Sequence, residues 1–372
     1  MADPRPWRFV TIEESYPDFS CATSPAVEKA VAEGHVAPTA LLDVFSADGI
    51  TIGVNEDPTQ VLDLDVCREA GIVVRRRVNG GGAIYAGQGS MFLALYLPTD
   101  HPRAPQTAAE AFPAVLTAFA EMLEDRFGVP ARYRPLNDVE IDGRKVMPTS
   151  IKIEDGVMTC RLLLNVKGID ADLGARAMPM APEKVQDKAN KTLQSRFTWL
   201  EREVGRELER AELEALCHDV VRHAFGVEDL VDDELTERER RYAAEFREEL
   251  ARDAWFFGKT LSRRLPDLSA EDRVGTGRWK APGGLIWATL VVRDGTVRHA
   301  VINGDFHPRP IRSVAELEAG FAGLPAEAGA LRAHVEAFLA RPEVEYAGVE
   351  ADDICGALDR ALAEIAAEAP AP

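Results

Sequence analysis

Residues 75–85 read Arg75-Arg76-Arg77-Val78-Asn79-Gly80-Gly81-Gly82-Ala83-Ile84-Tyr85. Three cations run directly into three glycines, with an apolar segment on either side. Backbone without side chains can approach an anion closely and turn its N–H groups toward it. Guanidinium groups clamp phosphate or carboxylate oxygens in bidentate fashion. A glycine triplet alone also fits a tight strand-to-strand turn. The clustered arginines upstream tilt the reading toward a pocket for a nucleotide or an activated acid.

The surroundings sharpen this. The chain has 372 residues, 62 acidic and 43 basic, for a formal net charge of −19. Such a surface is repelled by nucleic-acid backbones, so a local cationic run marks a site rather than a basic face. The length allows two domains, each with its own core. Cys21, Cys67, Cys160, Cys217 and Cys355 are dispersed and form no CxxC pair, which argues against a disulfide framework or a zinc site. The seven histidines give no metal pattern; His218 and His223 are five apart and share no helix face. No apolar h-region opens the chain and no apolar run is long enough to span a membrane, so a cytoplasmic location is expected.

Outward from the glycines, residues 24–34 predict a helix capped by Ser24, with Pro25 in its first turn and Gly34 at its end. Residues 40–46, 49–53 and 91–97 read as strands, and Gly71-Ile72-Val73-Val74 as a short buried strand that delivers the arginines. Residues 59–70 and 107–127 read as helices. Residues 137–146 read as a hairpin turning at Asp142-Gly143, followed by strands at 149–153 and 157–166. From 200 to 253 the chain reads as charged, solvated surface helices. After Trp255, a hairpin-rich sheet over 274–303 and helices at 313–321, 328–340 and 350–367 form a small domain. The pattern predicts an α+β fold without regular βαβ spacing. It places a large domain at 1–254 and an accessory domain at 255–372.

Two further constellations carry chemistry. Asn137-Asp138 precedes Lys145 by seven residues. An amide and a carboxylate can hold a divalent metal or ribose and phosphate oxygens. A strand lysine can neutralise charge that builds up during acyl transfer. An exposed surface hairpin would account for the same residues. Asn303-Gly304-Asp305-Phe306-His307 reads as a β-turn.

Taken in order, these segments resemble the lipoate-protein ligase A family of the biotin/lipoate ligase superfamily. Arg76–Tyr85 resembles the motif RRxSGGGAVYHD, and Asn137-Asp138 through Val146 resembles ND…GKKIxGSA. Leu162–Asn165 resembles the strand that follows, and Gln194–Leu200 resembles SVxSRVTNL. Trp255–Lys259 and Asn303–Phe306 resemble the accessory domain.

The resemblance implies a mixed sheet with packed helices, ATP and Mg²⁺ as cofactors, and a lipoate-like carboxylic acid as substrate. It implies an acyl-AMP intermediate and a lysine on a lipoyl-type carrier protein as acceptor. It assigns Arg76, Arg77, Asn79, Gly81, Gly82, Ala83, Tyr85, Asn137 and Asp138 to substrate and nucleotide, Asp138 also to Mg²⁺, and Lys145 to catalysis.

The chain departs from the family at Asn79, at Ala86-Gly87 in place of His-Asp, and at Met147–Ser150 in place of Gly-Ser-Ala. It departs again at Thr159-Cys160-Arg161 and at Val54-Asn55, where an arginine is usual. Two alternatives follow: an ATP-independent lipoyl or octanoyl transferase using Cys160 as nucleophile, and a non-catalytic homologue that binds an acyl group or a carrier. Cys160 also fits a small core residue. Biotin ligation is more remote, since the contiguous Arg75–Arg77 run is not a GRGRxGR loop.

Overall fold

The computed structural model describes residues 6–135, 137–179 and 197–367. They form two compact units. The first is built from the chain up to Ile50, Tyr85–Gly174 and the segment ending at Leu250. The second combines Thr51–Ile84 with the segment from Ala251 onward, and includes residues 175–179. The arginine–glycine run therefore folds with the C-terminal segment, not with the large sheet.

An eight-stranded mixed sheet organises the first unit. Its order is Leu230–Asp233, Trp7–Ile12, Thr39–Val44, Met91–Pro98, Val157–Leu164, Arg144–Glu154, Asp138–Ile141 and Ala131–Arg134. Trp7–Ile12 runs parallel to both its neighbours, and the other pairs are antiparallel. The alternate residues Met91, Leu93, Leu95 and Leu97 join Met158, Cys160, Leu162 and Leu164 in one core face. Phe119 and Leu123 of the helix Ala108–Phe127 cover it. Thr107 Oγ1 caps that helix by accepting from Glu110 N–H at 3.2 Å, and Gly128 ends it in the left-handed region.

Two expectations are corrected. Ser24 is not the cap of the helix Ser24–Ala32, because the preceding turn, Phe19–Thr23, already winds helically. Its Oγ instead accepts from Tyr96 Oη at 2.8 Å and from Arg161 Nε at 3.0 Å. The charged stretch after 200 is not a pair of purely solvated helices. Arg210–Phe225 buries Leu213, Leu216, Cys217, Val220 and Val221 at helical spacing. Glu237–Leu250 buries Glu239, whose carboxylate takes Arg8 Nη1 at 3.1 Å. Between them lies the unread edge strand Leu230–Asp233.

In the second unit, Arg273–Ala281, Gly284–Arg293 and Thr296–Gly304 form an antiparallel sheet. Asp294 (φ 50°) and Gly295 (φ 70°) make its two-residue turn. Helices Ser313–Ala319, Ala328–Leu339 and Ala351–Ala367 bury Leu317, Val335, Ile354 and Leu358 in a separate core. Among the described residues no helix is long and apolar enough to cross a membrane.

Candidate active site

The hairpin of the first unit turns at Asp142 (φ 50°) and Gly143 (φ 72°), as its Asp-Gly signal requires. A register irregularity between Val139 and Glu140 sets Lys145 opposite Glu140 and Asp138 opposite Pro148. Asp138 and Glu140 share a face, so Lys145 reaches diagonally to Asp138. Its Nζ lies 2.8 Å from Asp138 Oδ2. Asp138 Oδ1 is buried with no hydrogen-bond partner. Arg134 stands 3.9 Å from Asp138 but pairs with Glu140 at 2.5 Å. Asn137 braces the hairpin, its Nδ2 donating to Thr149 O at 2.8 Å while its own carbonyl accepts from Thr149 N–H at 3.0 Å.

A distant segment completes this cluster. Phe197 bridges to Lys145, with Lys145 Nζ 5.9 Å from its ring centroid. Thr198 N–H donates to Lys145 O at 2.9 Å. Of the motif read over Gln194–Leu200, Gln194, Ser195 and Arg196 lie outside the described residues.

In the second unit Arg76 is 1% exposed. Its guanidinium donates to the carbonyls of Gly53 (3.0 Å), Val54 (2.9 Å), Glu56 (2.7 Å), Trp255 (3.1 Å) and Phe256 (2.7 Å). Burial pushes its pKa down to about 10, with Glu56 and Asp57 opposing. Arg77 donates to Thr51 Oγ1 at 3.1 Å, Gly80 O at 2.7 Å and Gly82 O at 2.9 Å. Both arginines thus face backbone oxygens, where the sequence suggests anion clamps.

Gly81 sits at φ 88°. A Cβ on Gly53 would overlap the Gly81 carbonyl, so this approach requires glycine. The Asn79 carbonyl accepts from Val54 N–H at 2.9 Å. Ala83 is half-buried at the end of the loop.

Tyr85 belongs to the first unit and is buried. Its Oη donates to Asp48 Oδ2 at 2.5 Å, and Gln88 N–H donates to Asp48 Oδ1 at 2.7 Å. Burial, then the Asp48 carboxylate, raise the phenol pKa. Sequence reasoning missed Asp48. Its only local signal is the Asp-Gly turn pair at 48–49. A carboxylate therefore stands at the tyrosine even though Ala86-Gly87 replaces His-Asp.

Cys160 lies in the main core among Leu95 and Leu162, and burial pushes its thiol pKa up. All five cysteines are buried.

A buried carboxylate oxygen without a partner is costly. Asp138 Oδ1 therefore fits a cation that brings its other ligands from elsewhere. No group of three or more metal-ligating side chains exists among the described residues. A single carboxylate oxygen fits Mg²⁺, which keeps waters and takes one or two carboxylates plus substrate phosphates.

Residues 17–222 match the lipoyl protein ligase A/B catalytic domain. The chain belongs to this family. It is 23% identical to the lipoate-protein ligase LplJ of Bacillus subtilis over 283 residues, 75% of this chain and 78% of that protein. A shorter match, 26% over 106 residues, covers 28% of this chain and 38% of the octanoyltransferase LipM of Brevibacillus brevis. The fold resembles P. falciparum LipL1 in complex with lipoate (TM-score 0.68, 14% identity, 91% of this chain and 95% of that one). It also resembles lipoate-protein ligase A bound with ATP (TM-score 0.58, 20% identity, 70% and 100%). The protein is thus a lipoate-protein-ligase-like enzyme, with the mixed-sheet fold that its motifs imply and an additional C-terminal sheet-and-helix region.

Proposed function

We propose that the protein is an ATP-dependent acyl-protein ligase. The Asp138–Lys145 pair, with Asp138 Oδ1 left unpartnered, carries this reading. In the first half-reaction a lipoate-like carboxylate attacks the α-phosphorus of ATP, giving acyl-AMP and expelling pyrophosphate. In the second, a lysine amine of a lipoyl-type carrier attacks the acyl carbonyl, forming an amide and releasing AMP.

Lys145 keeps its charge directed at the reacting phosphate while Asp138 fixes where its Nζ sits. Phe197 shields one side of the ammonium, which strengthens the interaction by excluding water. Asp138 Oδ1 would hold Mg²⁺, which supplies neutralisation of phosphate charge when bound. The family resemblance, and not a contact, assigns Arg77 and the glycine loop of the second unit to substrate and nucleotide, and the acid's carboxylate is proposed there on that ground. The ATP-bound ligase among the structural relatives supports the nucleotide, and the lipoate complex supports the acid.

Burial of the five cysteines favours the ligase over the transferase reading, since a transferase needs an accessible thiolate. The deciding assay is pyrophosphate release from the purified protein, with ATP, Mg²⁺ and a library of carboxylic acids. Release that depends on both ATP and acid is expected. Acyl transfer that proceeds without ATP and stops in Cys160→Ser would reverse the assignment.

A further inference from the structure

The three glycines meet the segment Asp305–His307 residue by residue. A Cβ on Gly80 would stand 2.6 Å from the Phe306 carbonyl oxygen and 3.0 Å from His307 Cα. One on Gly81 would stand 2.9 Å from His307 Cε1, and 3.0 Å from both His307 Nε2 and Arg77 Nη2. One on Gly82 would stand 3.3 Å from Asp305 Oδ2. Gly81 N–H donates to Phe306 O at 3.2 Å.

The segment is itself tied down. Gly304 N–H donates to Asn55 O at 3.0 Å, and Asn303 Nδ2 donates to the carbonyls of Asn55 and Lys259 at 3.1 Å each. The triplet is therefore a contact strip for backbone delivered by the C-terminal segment. An imidazole and a guanidinium both border its middle residue.

We infer that His307 is a positioning residue: its ring, packed on Gly81 beside Arg77, holds the glycine loop in its conformation and so sets that loop's affinity for the acid. The part that concerns the acid rests on the ligase reading; the part that concerns the loop stands alone.

The charged groups facing the ring are Arg77 from the loop and Asp305 from its own segment. His307 as a residue is exposed, although its ring packs on Gly81. Desolvation of the packed edge, then the Arg77 charge, lower the imidazole pKa, while Asp305 opposes. The neutral ring is the form that fits. Protonation would place a second cation beside Arg77 and loosen the contact as pH falls below the ordinary imidazole range.

Amide hydrogen exchange of the peptide spanning residues 79–83, in the full-length protein, tests the role. Intrinsic rates are corrected for pH. Exchange is expected to be about tenfold faster in His307→Ala and His307→Lys, with His307→Gln close to wild type. Wild type should loosen on moving from about pH 7.5 to about pH 5.5, and His307→Gln should not. In pyrophosphate release, His307→Ala should raise KM for the acid more than it lowers kcat.

Wild-type exchange in His307→Ala would overturn the proposal, as would an unchanged acid response in His307→Gln. Wild-type protein that releases no pyrophosphate would instead count against the ligase reading. The exchange result would still support the loop role of His307.

Discussion

Lys145 and Asp138 are two short-range choices of sequence whose meaning comes from one diagonal contact of 2.8 Å. Lys145→Ala should lower pyrophosphate release by about 10²-fold or more, and because it strips buried Asp138 of its cation it should also lower the melting temperature. Stopped-assay release and a melting curve check both halves. Cys160→Ser should behave differently. Activity should persist, while urea unfolding shows a loss of about 1–3 kcal/mol from a hydroxyl placed in an apolar core. Asp43 is a third case. It is buried on the strand Thr39–Val44, with Oδ1 accepting from Glu14 N–H at 2.8 Å and Oδ2 without a partner. Burial pushes its pKa up to about 8. The folded state therefore holds its proton longer than the unfolded chain does. The resulting stability is full below the unfolded carboxylate pKa and is lost as pH rises through about 8. Asp43→Asn should flatten the fall in urea-unfolding stability over this range, which is up to about 1.4 kcal/mol per pH unit.

At the scale of elements, the hairpin Asp138–Glu154 shows how far local signals reach. Asp142-Gly143 fixes the turn, because both positions need positive φ and these residues tolerate it. The pairing of Lys145 with Phe197 was not legible, since nothing in either segment encodes the other's position. The helix Arg210–Phe225 was misread for a related reason. Its charged residues dominate its composition, but Leu213, Leu216, Cys217, Val220 and Val221 recur at helical spacing and decide its burial. Arg76 belongs to this scale as well, since its guanidinium ties Gly53–Glu56 to Trp255–Phe256. Arg76→Ala removes the guanidinium donor from five carbonyl oxygens, of which Gly53 and Trp255 keep a backbone N–H donor. It should cost about 3 kcal/mol or more in urea unfolding, with lost exchange protection over residues 53–57.

For the molecule as a whole, the sequence suggests one cut near residue 255, whereas Thr51–Ile84 is compact with the segment from Ala251 onward. Deleting residues 255–372 would remove the Phe256 carbonyl that Arg76 engages and the Phe306 carbonyl that Gly81 engages. The truncated protein should lose exchange protection across residues 75–83, and a fully protected loop there would show that the C-terminal segment does not shape it. By itself the sequence determined the kinds of element and several of the turns. It also fixed the family motifs and the Asn137–Lys145 hairpin. Those follow from periodicity and φ preference within a few residues of each position. Only the tertiary structure decided that Arg76 and Arg77 face carbonyl oxygens, that Asp48 meets Tyr85, that Cys160 is sealed in the core, and that the glycines lie against Asp305–His307. Each of these is a contact between segments distant in the chain. Which segments meet depends on how each unit's own core packs, and no local pattern in the sequence carries that information.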